Sequence, residues 1–78
     1  MKAFATTLGM RIKDKYFENV EVRKVSVEEY KTLKQYMEIV DESGFVYIYF
    51  SEKHKEVMIA HLNPDHSFGE IELYKAIS

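Results

Sequence analysis

The stretch "GFVYIYF", residues 44–50, most constrains what this chain can fold into. Successive side chains of a strand point to opposite faces, so Phe45, Tyr47 and Tyr49 share one face and Val46, Ile48 and Phe50 the other. A sheet with one face in water alternates apolar with polar residues. A strand that is apolar on both sides needs something on its second face: another layer, a partner or a ligand.

The chain has 78 residues, enough for one domain, 1–78, that buries about 60–65% of its unfolded surface. Stability at that size is marginal, and homodimerisation is a natural supplement. The chain is 46% apolar and 14% aromatic with three Gly and one Pro, which excludes disorder and low complexity. It has no Cys. That rules out a disulfide framework, a thiolate zinc site and a cysteine nucleophile, and it fits a reducing compartment. The opening "MKAFATTLGMRI" is too short and too polar for a signal peptide, and no apolar run approaches the roughly 18 residues of a membrane span. A soluble cytoplasmic protein is the expectation. The net charge of −2 hides an asymmetry. Residues 1–35 hold eight Lys and Arg against five acids, a balance of +3, and residues 36–78 hold three against eight, a balance of −5. Both halves are candidate docking surfaces, and the overall sign argues against a dedicated nucleic-acid binder.

"SVEEYKTLKQYMEIVDESG" carries signals for a helix. Ser26 and Glu29 form an S-x-x-E capping box, Val25 and Tyr30 occupy the staple positions, and Gly44 suits a left-handed stop. The spacing predicts a helix from Val27 to Asp41 or Glu42, with Tyr30, Leu33, Met37 and Val40 as its core stripe. Tyr36 and Ile39 fall beside that stripe, as a flank of the core or a contact surface. Downstream, residues 45–50, 57–62 and 70–77 read as an antiparallel meander joined by polar loops. Upstream, "VEVRKV" reads as a strand and "KAFATTL" as another. "GMRIKDKYFEN" fits a strand and a long turn, against a short helix suggested by the spacing of Leu8, Ile12 and Tyr16. The expected fold is α+β, one amphipathic helix packed on an antiparallel β-sheet in the order ββαβββ.

No constellation specifies chemistry. His61, Asp65 and His66 lie close in "HLNPDHS", but their spacing matches no strong metal motif, and His54 sits in the other hairpin loop. Glu56, Glu70, Glu72 and Tyr74 have acid–base side chains with no recognisable frame of nucleophile, base and orienting group. Gly9, Gly44 and Gly69 stand alone, so there is no phosphate loop. The expectation is a non-enzyme with no metal and no cofactor; a small His/Glu nuclease is the lesser alternative.

Binding is the remaining class. Phe45, Tyr47 and Tyr49 on a sheet are of the type that stacks unpaired bases, with Arg11, Lys13, Lys15, Arg23 and Lys24 available for phosphates. The Gly and basic residues that accompany such aromatics in RNA-recognition sheets are missing. A single-stranded RNA or other nucleic-acid-binding domain is therefore the alternative, and a larger protein is the favoured partner. Six Tyr and five Phe exceed what one small core buries on a single side, and Tyr suits interfaces. The candidate partner-binding residues are Tyr36, Ile39, Phe45, Tyr47 and Tyr49, with Glu38, Asp41 and Glu42 to meet a basic target. If residues 1–25 instead cover the second face through Phe4, Leu8, Ile12, Tyr16 and Phe17, Tyr36 and Ile39 are the best exposed candidates.

In its size, lack of Cys, single domain and lack of a catalytic signature, the chain is similar in kind to small stoichiometric inhibitors carried by phages and mobile elements, including anti-CRISPR proteins and antitoxins. That resemblance rests on style, with no shared motif. It implies a small inhibitor or regulator that occludes a functional surface of a larger protein, with a nucleic-acid-binding protein as one such partner.

Overall fold

The structure is a computed structural model that describes residues 2–77, with the backbone alone at Ser43. It consists of β1 (Ala3–Thr6), β2 (Gly9–Ile12), β3 (Lys15–Phe17), β4 (Val20–Lys24), α1 (Val27–Leu33), a 3-10 turn (Lys34–Tyr36), β5 (Glu38–Ser43), β6 (Val46–Ser51), β7 (Glu56–Leu62) and β8 (Phe68–Ala76). The first three strands form a small antiparallel sheet, β1-β2-β3. The others form a five-stranded antiparallel sheet in the order β4-β8-β7-β6-β5. The molecule is thus mostly strand, with two antiparallel sheets and one short helix, compatible with the α+β class. The order ββαβββ and its single sheet are replaced by four strands, a helix and four strands in two sheets.

Three layers account for the two-sided apolar strand. On one face of the large sheet, Ile48, Phe50, Val57, Ile59 and Tyr74 pack against Ala3, Ala5, Met10 and Ile12 of the small sheet. On the other, Tyr49, Met58, Ala60, Ile71 and Leu73 pack against Val25 and Tyr30, flanked by Leu33, Met37 and Tyr47. The N-terminal residues do cover the second face, through Ile12 and Phe17 as expected but not through Phe4, Leu8 and Tyr16. Ala3, Ala5, Met10 and Ile12 point inward, and Phe4, Leu8 and Tyr16 are exposed. The physical reason is spacing between layers. Small alanines let β1 approach a sheet whose facing side chains are already large, and alternating small with large residues fills such a gap at native density.

The helix begins as the sequence indicates. Ser26 Oγ accepts from the Glu29 amide at 3.1 Å, and Val25 and Tyr30 are buried in the same cluster. The Glu29 carboxylate does not return to Ser26; it receives two hydrogen bonds from Arg23, at 3.0 and 2.6 Å. The helix ends at Leu33, not at Asp41 or Glu42. After the 3-10 turn, Met37 is extended and residues 38–43 form an edge strand. Ile39 and Val40 are β-branched and favour that conformation. Gly44, with φ +67°, serves the two-residue turn between Ser43 and Val46 and not a helix stop. A positive φ at the first turn position is what a type II′ hairpin requires. A bulge at Val40 sends this side chain to the small-sheet side, whereas Ile39 lies opposite Tyr49 and Glu42 opposite Tyr47 on the helix side.

Candidate partner-binding surface

The helix side of the large sheet is only partly roofed. Beyond α1, a groove of about 440 Å³ is lined by Glu21, Val22, Arg23, Glu56, Leu73 and Lys75. Strand register builds its floor: Glu56 and Glu21 both lie opposite Lys75, and Arg23 lies opposite Leu73. Glu56 is buried, and both its oxygens are engaged. Tyr36 donates to Oε1 at 2.7 Å, and Lys75 Nζ stands 3.6 Å from Oε2. The Tyr36 ring also meets His54 edge-on, with centroids 4.8 Å apart. Burial, reinforced by the hydrogen bond to Glu56, pushes the Tyr36 phenol up to about 12. Across the groove the Arg23 guanidinium holds the Glu29 carboxyl below its usual range. Paired charges of this kind make a fixed polar recess, and Tyr36 is bonded to its buried Glu56.

From Tyr36 the chain passes directly into β5. Tyr36 and Ile39 are 45% and 46% exposed. Glu38, Asp41 and Glu42 are exposed along the same strand. Because β5 pairs only with β6, its outer edge is open. Segment 36–42 therefore forms a rim, with Ile39 and Glu42 on the helix side of the sheet and Glu38 and Asp41, opposite Phe50 and Ile48, on the other.

The other three candidates are not part of that rim. Tyr49 is 5% exposed beneath the helix, so the geometry does not offer it to a partner, and Tyr47 is half-buried. Tyr49 has an internal role: its hydroxyl accepts from Tyr30 at 3.0 Å and donates to Glu42 Oε2 at 3.0 Å. Burial first, and these hydrogen bonds second, push its phenol strongly up. Phe45 is exposed in the β5–β6 turn and stacks on His66 at 5.5 Å.

The groups weighed for chemistry are held in local contacts. His61 Nε2 lies 3.3 Å from Glu72 Oε1, and Tyr74 donates to the same oxygen at 3.2 Å. Lys24 pairs with Glu70 at 2.8 Å. Asp65 accepts from the backbone N–H and hydroxyl of Ser67, which hold its carboxyl below the usual range. Among the described residues, no group of three or more His, Asp or Glu side chains is placed to hold a metal ion. None of the described helices is long and apolar enough to cross a membrane.

Two features escape a reading of the sequence. Glu56 is the buried anchor of Tyr36, and only the strand register reveals it. Phe4 and Tyr16 are surface residues, a placement hinted at by the alternation of Phe4 with Ala3 and Ala5. In comparison with known proteins, no family model, no curated protein and no solved structure matches the chain.

Proposed function

We propose that this chain is a non-enzymatic protein-binding module, a stoichiometric inhibitor or regulator similar in kind to those of phages and mobile elements, that acts by covering a surface of a larger protein. The observation that carries the reading is segment 36–42. It carries two half-exposed side chains, Ile39 on the open edge of the large sheet and Tyr36 in the 3-10 turn that leads into it, together with Glu38, Asp41 and Glu42. An open edge offers main-chain hydrogen bonds to an added strand, and alternate side chains supply the selectivity. The acids favour a basic target and speed its approach. Tyr36 is held in place by Glu56, which lowers the entropy lost when it is buried by a partner.

The test is affinity capture from the native host with quantification of the recovered proteins. One protein at constant stoichiometry is expected, and Ile39→Lys should lose it while circular dichroism and the melting temperature stay unchanged. Recovery unaffected by Ile39→Lys and Tyr36→Ala would refute segment 36–42 as the docking edge. Light scattering tests the competing occupant, a second copy of the chain.

A further inference from the structure

The outer face of the small sheet has a composition unlike the rest of the surface. Its register aligns Phe4, Arg11 and Tyr16 in one row across β1, β2 and β3. All three face away from the core: Phe4 is 47% exposed, Tyr16 57%, and Arg11 is exposed. Lys2 and Lys13 lie at one end of this face, where the Lys13 amide donates to the Lys2 carbonyl at 2.6 Å. Residues 1–17 hold four Lys and Arg against one acid, Asp14, a balance of +3 in a chain whose total is −2. Lys13 and Lys15 are partly neutralised by Glu52, at 3.0 and 3.8 Å. Arg11 has no acidic partner among the described residues.

Tyr16 is also held in orientation. A Cβ at Gly9 would collide with the Tyr16 hydroxyl and ring, so the absence of that atom lets the ring lie across β2. Strands about 4.8 Å apart put the backbones of Phe4 and Tyr16 about 10 Å from each other on either side of Arg11, and the Tyr16 ring reaches back over Gly9 of β2. Two separated π-faces with an unpaired guanidinium between them match two unpaired bases joined by a phosphate.

We propose that this face binds a single-stranded nucleic acid, with one base on Phe4, one on Tyr16 and the linking phosphate on Arg11, assisted by Lys2 and Lys13. Stacking on aromatic rings tolerates any base, so recognition is of an unpaired strand and not of a sequence. A duplex keeps its bases stacked inside and presents no free π-face to these rings. The Phe4–Arg11–Tyr16 row belongs to the small sheet and segment 36–42 to the large one; Glu38 acts on Lys13 through its charge, so Ile39→Lys, which leaves Glu38 in place, separates the two sites.

The experiment is fluorescence anisotropy with labelled short oligouridylate and oligothymidylate, and with a duplex of the same length. Two to three phosphate contacts give a salt slope of about −1.4 to −2, and hence about a tenfold affinity loss between about 50 and about 200 mM salt. Tyr16→Ala should weaken binding at least about fivefold. Because Tyr16 covers Gly9 and its removal can affect folding, Arg11→Glu, at an exposed and unpaired position, is the decisive variant and should abolish binding with the melting temperature unchanged. Ile39→Lys should leave it intact. No binding of either single strand, equal binding of the duplex, or wild-type affinity in Arg11→Glu would overturn the proposal.

Discussion

The chain of hydroxyls from Tyr30 through Tyr49 to Glu42 has a direction, and mutation can read it. An ionised carboxylate only accepts, so Tyr49 must donate its single proton to Glu42 and accept from Tyr30. Removing the Tyr49 hydroxyl therefore breaks both bonds and leaves the Tyr30 hydroxyl unpaired in the core. Unsatisfied buried donors cost about 1–3 kcal/mol. Removing the Tyr30 hydroxyl breaks one bond, and Tyr49 still donates to Glu42, at a cost of about 0.5–1.5 kcal/mol. In the double variant no hydroxyl is stranded, and the exposed Glu42 carboxylate is free to hydrate. Tyr49→Phe should thus be the more destabilising single change. The double variant should be no worse than Tyr49→Phe alone, giving a coupling at least equal to the cost of Tyr30→Phe, about 0.5–1.5 kcal/mol. Urea denaturation at neutral pH measures all four corners of the cycle, and each kcal/mol corresponds to about 4–8 °C in melting temperature for a domain of this size. Equal losses for the two single variants, or additivity within about 0.5 kcal/mol, would refute the assigned direction.

Three further outcomes are expected. Gly9→Ala introduces a Cβ against the Tyr16 ring and the Phe17 carbonyl, and should lower stability by about 1–3 kcal/mol in a denaturant titration. Glu56→Ala removes the acceptor of Tyr36 and the partner of Lys75; it should cost about 1–3 kcal/mol and sharpen the amide exchange of residues 34–36 relative to β7. The Tyr36 phenol, raised from 10.0 to about 12, contributes stability that is complete below pH 10 and lost as the pH rises through 12, because the unfolded chain releases the proton first. The stability difference between wild type and Tyr36→Phe, followed by alkaline titration, should shrink across that window; a difference that grows with pH would contradict it.

Much of the architecture is legible in short patterns. The strand 46–51 declares two buried faces by being apolar on both, and the structure supplies a layer for each. Ser26 and Glu29 mark the helix start because capping is a local interaction. The helix end is illegible for a related reason. Met37 and Val40 fit the spacing set by Tyr30 and Leu33, yet they also fit a bulged strand in which they take opposite faces. Only pairing with Tyr47 and Tyr49 decides between the two, although the Ser-Gly pair at 43–44 was a hairpin signal. For the N-terminal strands, size misleads. Phe4 and Tyr16 look like core residues, but the large sheet already presents Phe50 and Tyr74 to β1, and alanines fit there instead. Of the candidate surface, helical spacing singles out Tyr36 and Ile39, but the helix stops at Leu33 and their exposure arises in a 3-10 turn and an edge strand. The anchoring of Tyr36 by Glu56 depends on register between distant strands and leaves no mark in the sequence.

The layering also imposes an order on biosynthesis. Ala3, Ala5, Met10 and Ile12 find their apolar surface on β6, β7 and β8. A ribosome releases β1 and β2 before these three strands. The small sheet thus emerges with no partner layer to bury its inner side, and burial waits until β8 has been made. Docking of the small sheet is therefore governed by contacts distant in sequence, and until they form its N-terminal strands are exposed to chaperones and to copies of themselves.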